Sequence, residues 1–113
     1  MEDMGGEVVV FSTCSSGEEA EKIAEALIKE RRAACISAIS SVRSIYWWKG
    51  KIEQAEEVLL IIKTKKTLMD EVIKLIKKNH SYTVPEIIAV PIVAGNPDYL
   101  KWLRSEVKKK AKG

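Results

Sequence analysis

The chain reads as an α+β fold of the ferredoxin-like, split βαβ kind: a four-stranded antiparallel sheet in the order β-α-β-β-α-β, with a long central hairpin and an extra C-terminal helix. Three observations carry this reading. Apolar runs of strand length alternate with two helical repeats, a long extended stretch turns at a glycine and returns, and a third helix-start signal follows the last strand. The 113 residues make about one domain, enough for a single core and too few for two. Residues 1–113 are therefore read as one domain, with flexible ends at 1–6 and 108–113.

Val8-Val9-Val10-Phe11 is β-branched and continuous, the pattern of a strand covered on both faces. Ser16-Gly17-Glu18-Glu19 is a Ser-x-x-Glu capping box. Behind it Ala20, Ile23, Ala24 and Leu27 recur at i, i+3, i+4 and i+7, which predicts an amphipathic helix over 17–32. Lys29, Arg31 and Arg32 crowd its last turn, where cations suit the carbonyl end of the helix dipole.

From Ala34 to Trp48 the chain is extended; Lys49-Gly50 turns it, and Ile52 to Lys63 returns. Fifteen residues at ~3.3 Å each span roughly 50 Å, against a radius of gyration of ~13 Å for a domain of this size. Such a strand must bend, break at a bulge near Ser40-Ser41, or project beyond its own subunit. The return strand ends in Val58-Leu59-Leu60-Ile61-Ile62, again without alternation. Thr67 is placed to cap a second helix, with Leu68, Val72, Leu75 and Ile76 on one side, Lys74, Lys77 and Lys78 on the other, and Asn79 as its stop. A loop from His80 to Glu86 precedes a strand from Ile87 to Val93, in which Pro91 lacks an N–H and so predicts an edge or a bulge. Asn96 as N-cap and Pro97 at the first helical position open the terminal helix, which carries Tyr99, Leu100, Trp102, Leu103 and Val107.

Right-handed crossovers place the first two helices on one face of the sheet. Three strands nevertheless carry runs that want both faces covered. The terminal helix can cover part of the second face. The remainder, with Tyr46, Trp47, Trp48 and Ile52 near the hairpin tip, calls for another subunit. Packing in an interface is the better reading of these aromatics than stacking on a ligand.

Composition excludes several classes. A formal net charge of +3, from 19 basic and 16 acidic residues evenly spread, does not describe a nucleic-acid binder. The Lys108-Lys109-Lys110 tail reads as a solvated helix end. No segment approaches the ~18 consecutive apolar residues of a membrane helix, and the acidic start Met1 to Glu7 is not a secretory leader. Cys14 and Cys35 lie far apart with no CxxC spacing, which points to free thiols in a reducing compartment.

Chemistry is sparse. There is no phosphate-binding glycine loop, HExxH or GxSxG, and no nucleophile–base pair can be read, so the chain is not expected to be an enzyme. Ser15-Ser16-Gly17 at a helix start reads as an ordinary cap. The single histidine, His80, has Tyr82 and Glu86 within six residues on a loop stiffened by Pro85. An imidazole and a carboxylate can be two ligands of Cu(II) or Zn(II), with a thiol or water to complete the set. Cys35, in Ala33-Ala34-Cys35-Ile36, reads as a buried core residue; Cys14, at the mouth of the first strand, reads as the more exposed thiol. A metal site built this way would be open, weak or shared between subunits.

Nearly the whole chain, from about residue 8 to 104, resembles the CutA-type divalent-cation tolerance proteins. The features that carry the resemblance are Ser12-Thr13 ending the first strand, Ala33-Ala34-Cys35, the run from Ser44 to Ile52, Glu57 with Lys63-Thr64, His80-Ser81-Tyr82-Thr83-Val84-Pro85-Glu86, and Asp98 to Leu103. The resemblance implies a ferredoxin-like subunit assembled as a homotrimer by long β-hairpins, cytoplasmic, and linked to tolerance of divalent metals, notably copper. It also implies a histidine, a glutamate and a first-strand cysteine as metal ligands. The first two map onto His80 and Glu86. The third position is Ser12 here, with Cys14 two residues on and on the same side of a strand. The leading expectation is thus a trimeric metal-responsive protein binding copper, or zinc or another divalent ion, through His80, Glu86 and Cys14. The alternatives are a trimeric sensing module that takes a small anionic effector at subunit clefts near Lys63, Lys65 and Arg43, and a structural scaffold.

Overall fold

Strands β1 (Glu7–Cys14), β2 (Cys35–Trp48), β3 (Lys51–Lys65) and β4 (Ile87–Pro91) form one sheet in the spatial order β2-β3-β1-β4, every neighbouring pair antiparallel. Helices α1 (Gly17–Lys29) and α2 (Met69–Asn79) make the two crossovers, and α3 (Pro97–Glu106) follows β4. This is the split βαβ arrangement that the sequence predicts. The computed structural model describes residues 6–108. The segments read as flexible ends lie outside the described residues except for Gly6 and Lys108, and both of these are held. The Gly6 carbonyl accepts from the Lys66 N–H, and the Lys108 N–H donates to the Arg31 carbonyl, each at 2.7 Å.

Alternation along the strands puts Val8, Val10, Ser12 and Cys14 of β1 on the same face as Thr64, Ile62, Leu60 and Val58 of β3. All eight are buried, and Ala20, Ile23 and Leu27 of α1 and Val72 and Ile76 of α2 close over them. Each fully buried Leu or Ile there is stabilised by about 1.5–3 kcal/mol relative to exposure. The other face is less complete. Val9, Phe11, Leu59 and Ile61 are only half-covered, so the expectation of a strand buried on both faces is met on one. The reason is reach: α3 has ten residues and covers one end of that face, with Leu103 buried and Arg104 donating to Glu7 at 2.9 Å.

β2 breaks and projects, as its length requires. Pairing runs from Cys35↔Lys63 to Ile39↔Leu59, slips, and resumes at Val42↔Glu57. Ser40 and Ser41 together oppose Val58, a two-for-one bulge that increases the local twist. Ser41 sits in the left-handed region at φ 62°, and Lys49 at φ 51° with Gly50 at φ 78° makes the hairpin turn. β1 ends at Cys14, opposite that same Val58. Beyond it β3 has only β2 as a partner, and the pair becomes a free two-stranded arm that stretches the long axis to 46 Å.

Three boundaries differ from the sequence reading, each for a local reason. α1 stops at Lys29, because Arg31 turns left-handed at φ 55° and the Arg32 N–H returns to the Leu27 carbonyl. Arg31 is thereby free to reach Glu106 at 3.1 Å instead of lining the last turn. Thr67 caps nothing: Lys66–Leu68 is a 3₁₀ turn, and α2 begins at Met69 without a side-chain cap. β4 ends at Pro91, and the Ile92 N–H still reaches the Glu7 carbonyl at 3.0 Å. β4 is an edge strand, where Pro91 is tolerated, and Asn96 accepts from the Asp98 N–H at 3.0 Å as the N-cap of α3.

The bulge yields a test. A β-branched residue at Ser41 meets the full left-handed penalty, so Ser41→Val should lower stability by about 1–2 kcal/mol while Ser41→Gly is neutral or stabilising. Denaturant midpoints at unchanged slope measure this, and equal midpoints for the two variants would refute it.

Candidate functional site

The notch left where β1 stops is filled from below by the loop His80 to Glu86 and roofed by the arm. Between them lies a cleft of about 760 Å³. Ser44, Tyr46 and Trp48 line it from the arm, Tyr82 and Glu86 from the loop, and Glu57 from the first arm position of β3. Alternation explains the arm's contribution: Ser44, Tyr46 and Trp48 share one face, and the intervening Ile45 and Trp47 are directed chiefly to the other.

At the base of the cleft the Tyr82 hydroxyl donates to Glu57 Oε2 at 2.7 Å. Burial, then the facing Glu57 carboxylate, pushes the Tyr82 hydroxyl well above its usual pKa, so it stays a donor. Glu57 itself is 5% exposed, and among the described residues no Lys or Arg pairs with it or with Glu86. Tyr82 also packs on His80, with ring centroids 4.8 Å apart.

His80 is the hinge of the loop. Its side chain is fully buried. Nε2 lies 2.8 Å from the Thr13 carbonyl, which only accepts, so Nε2 carries the proton and donates. Nδ1 then accepts the Tyr82 N–H at 3.1 Å. Both ring nitrogens are used, and the imidazole is the Nε2–H tautomer. Glu19 Oε1, 4.0 Å from Nδ1, is too distant for a hydrogen bond. Glu19 instead ties the loop to α1. It accepts from the Ser15 N–H at 3.0 Å and from the Ser81 N–H at 2.6 Å. Burial works to raise its pKa, yet these hydrogen bonds outweigh burial and hold the carboxyl below its usual range. The capping box is thus displaced by one residue: Ser16 caps the Glu19 N–H at 3.2 Å, and Glu19 returns to Ser15.

The three residues read as metal ligands are placed differently from one another. β1 does continue to Cys14, but the helix-facing side of the strand buries its thiol completely, and Cys35 is the more exposed cysteine. The Cys14 Sγ lies 3.8 Å from the carbonyls of both Ser16 and Val58. Burial, with the negative charge of Glu19 behind it, pushes the thiol up to about 11. It is therefore a protonated donor at neutral pH, which is not the thiolate a metal needs. His80 has no free lone pair, and Glu86 alone is exposed, on the cleft. As folded, His80 and Cys14 do not fit a copper or zinc ion, and among the described residues no group of three or more His, Cys, Asp or Glu is arranged to hold one. Ser12, which the resemblance sets at a thiol position, is buried, and its hydroxyl has no partner among the described residues. Lys63, Lys65 and Arg43 do not converge either. Arg43 pairs with Glu56 on the arm, seven residues and roughly 23 Å along β3 from Lys63. Glu57 and Glu19, which organise the site, escaped the sequence reading as chemistry. The one available sign was a carboxylate heading the apolar run Val58 to Ile62.

The CutA1 divalent ion tolerance protein family matches residues 8–106. This chain belongs to that family. Protein CutA 1, chloroplastic, from Oryza sativa subsp. japonica is 42% identical over 101 residues, which are 89% of this chain and 57% of the rice protein; the chain thus spans little more than half of that relative. The divalent cation tolerance protein Cut A1 from Thermus thermophilus superposes with a TM-score of 0.89 at 43% identity, covering 90% of this chain and 99% of that one. CutA from Archaeoglobus fulgidus, described as a periplasmic divalent cation tolerance protein, gives 0.87 at 39% identity, covering 90% and 99%. CutA proteins are thus named for tolerance of divalent cations and not for a reaction, and two of these names place their bearers in the chloroplast and the periplasm. In this CutA-family chain no described helix is long and apolar enough to cross a membrane.

The cysteines give a direct check. Cys35 should react with Ellman's reagent in the native protein while Cys14 reacts only on unfolding; two thiols of equal native reactivity would contradict the burial. Because the folded pKa lies near 11 and the ordinary value is 9.0, Cys14 favours the fold fully below pH 9 and loses that contribution as pH rises toward 11. Cys14→Ala should flatten this alkaline decline in a pH series of thermal melts.

Proposed function

We propose that this chain serves divalent-cation tolerance as a homotrimer, without catalysing a reaction, and that its long β2–β3 arm is the device of assembly. One observation supports this above all: the outer face of the arm carries a bare apolar strip. Trp47 is 71% exposed, and Ile45 and Ile52 are 63% and 60% exposed. Trp47 and Ile52 are cross-strand partners, so they form one continuous strip. The strip has a counterpart on the half-covered sheet face, where Ile39, Ile88 and Val90 are also exposed. Apolar surface on this scale is removed from water by association. Two free cysteines suit a reducing compartment such as the cytoplasm.

Copper or zinc enters this proposal as an ion shared between subunits. Glu86 is the one predicted ligand free to reach a neighbour, whereas His80 and Cys14 are committed within their own chain. Borderline and soft metals need several donors, and three copies of one exposed carboxylate site would be brought into play by assembly.

Native mass spectrometry tests both parts. The chain should run as a trimer, and the double substitution Trp47→Glu, Ile52→Lys should yield monomer with the far-UV spectrum retained; a trimer that persists would remove the arm from the interface. On titration with copper, Glu86→Gln should lower uptake several-fold and His80→Ala should not. One copper per subunit abolished by His80→Ala would show instead that the imidazole leaves Thr13 to bind metal.

A further inference from the structure

Glu57 presents an electrostatic problem within its own chain. The residue is 5% exposed and borders the cleft, its side-chain partner among the described residues is the neutral Tyr82 hydroxyl, and none of the cleft-lining residues is Lys or Arg. A buried carboxylate without a cation is costly, because desolvation is only partly offset by one neutral hydrogen bond. Glu86 adds a second negative charge to the same space. The remaining walls join aromatic and apolar side chains to the hydroxyls of Thr13, Ser44, Ser81 and Thr83, and Trp48 already has an ammonium near its ring, the Nζ of Lys49 at 5.8 Å from the centroid. The cleft, at about 760 Å³, is of the size that takes a small organic molecule.

We propose that this cleft is a binding site for an organic cation, a protonated amine or guanidinium on an apolar body, paired with Glu57 and Glu86 and walled by Tyr46, Trp48 and Tyr82. Within one chain the donor set selects an organic cation over a metal, whereas the shared ion proposed above needs Glu86 from several subunits. Two carboxylates, without the third ligand that a bound divalent ion requires, match an ammonium group, which needs charge and acceptors but no coordination polyhedron. Aromatic faces add cation–π attraction, which strengthens as water is excluded. An anionic effector has nothing to pair with here. The cation has two sources of the same chemistry: a free amine, or the Lys or Arg side chain of a neighbouring copy.

The test is calorimetric titration at fixed ionic strength with spermidine, agmatine, choline and butylammonium, against citrate and glutamate as anionic controls. At least one cation should bind saturably with a Kd of millimolar or tighter, and the anions should not. Glu57→Gln preserves the hydrogen bond from Tyr82 and should weaken that cation at least tenfold; Glu86→Gln, at an exposed position that leaves the fold intact, should weaken it two- to fivefold. If the assembled protein refuses every cation while the dissociated Trp47→Glu, Ile52→Lys chain accepts one with the same Glu57 dependence, the site stands and a neighbouring copy supplies the ammonium. Failure of both forms to bind, binding untouched by Glu57→Gln, or equal binding of the anions would overturn the proposal.

Discussion

An eight-residue strand lies beside one of fifteen, and most of the molecule follows from that mismatch. β3 runs out of a β1 partner at Val58, opposite Cys14, and continues with β2 alone. A lone two-stranded ribbon is marginal in water. Its persistence depends on how it is anchored and on what its faces meet. The anchor is the Ser40-Ser41 bulge, set at the same Val58, which gives the ribbon its own twist where the sheet's influence ends. The inner face meets the loop His80 to Glu86 and closes a cleft. The outer face meets no other described part of its own chain, and it carries the exposed apolar strip of Ile45, Trp47 and Ile52.

A second difference in strand length, β4 against β1, fixes the polar network. β4 pairs with β1 only as far as Ser12, so the Thr13 carbonyl is available to the loop, and His80 Nε2–H takes it. Glu19 then ties the loop at Ser81 to the start of α1 at Ser15. His80, Glu19 and Tyr82 therefore hold the loop at three separated points. Their hydrogen bonds are worth about 1 kcal/mol each when neutral, more for the charged acceptor, and much more in lost pairing if one partner is removed. The histidine that looks like a ligand in the sequence is thus a strut, and its company with Glu86 along the chain does not carry over into shared chemistry.

How far the sequence could be read follows from what kind of information each feature needs. The bulge was legible as one of the three outcomes that a length argument allowed, with two serines to mark the spot; the α3 start was legible because Asn96-Pro97 satisfies orphan N–H groups by local chemistry alone. Edge placement of β4 came from the missing N–H of Pro91 in the same way. Exposure of Cys14 was misread because it depends on strand parity, which a one-residue change in the strand's register would invert. The end of α1 escaped because Arg31 carries no glycine-like sign of its left-handed turn. Glu57 escaped because a carboxylate at the head of an apolar run reads as surface until the facing Tyr82, far along the chain, is in place.

The proposed assembly surface and the cleft share one structural part. Tyr46 and Trp48 face inward on the same two-stranded ribbon whose Trp47 and Ile52 face out. Alternation allows no residue of the ribbon to change faces independently, so anything that tilts the arm moves both surfaces together. In the proposed assembly, a ligand that drew Tyr46 and Trp48 toward Glu57 would shift the outer strip against its partner, and a partner that seated the strip would set the width of the cleft. Linkage then works in both directions with the same coupling free energy. A short β1 is the condition for this: extended past Cys14, it would pair with the ribbon, fill the notch, and leave the arm no freedom for either surface to sense the other.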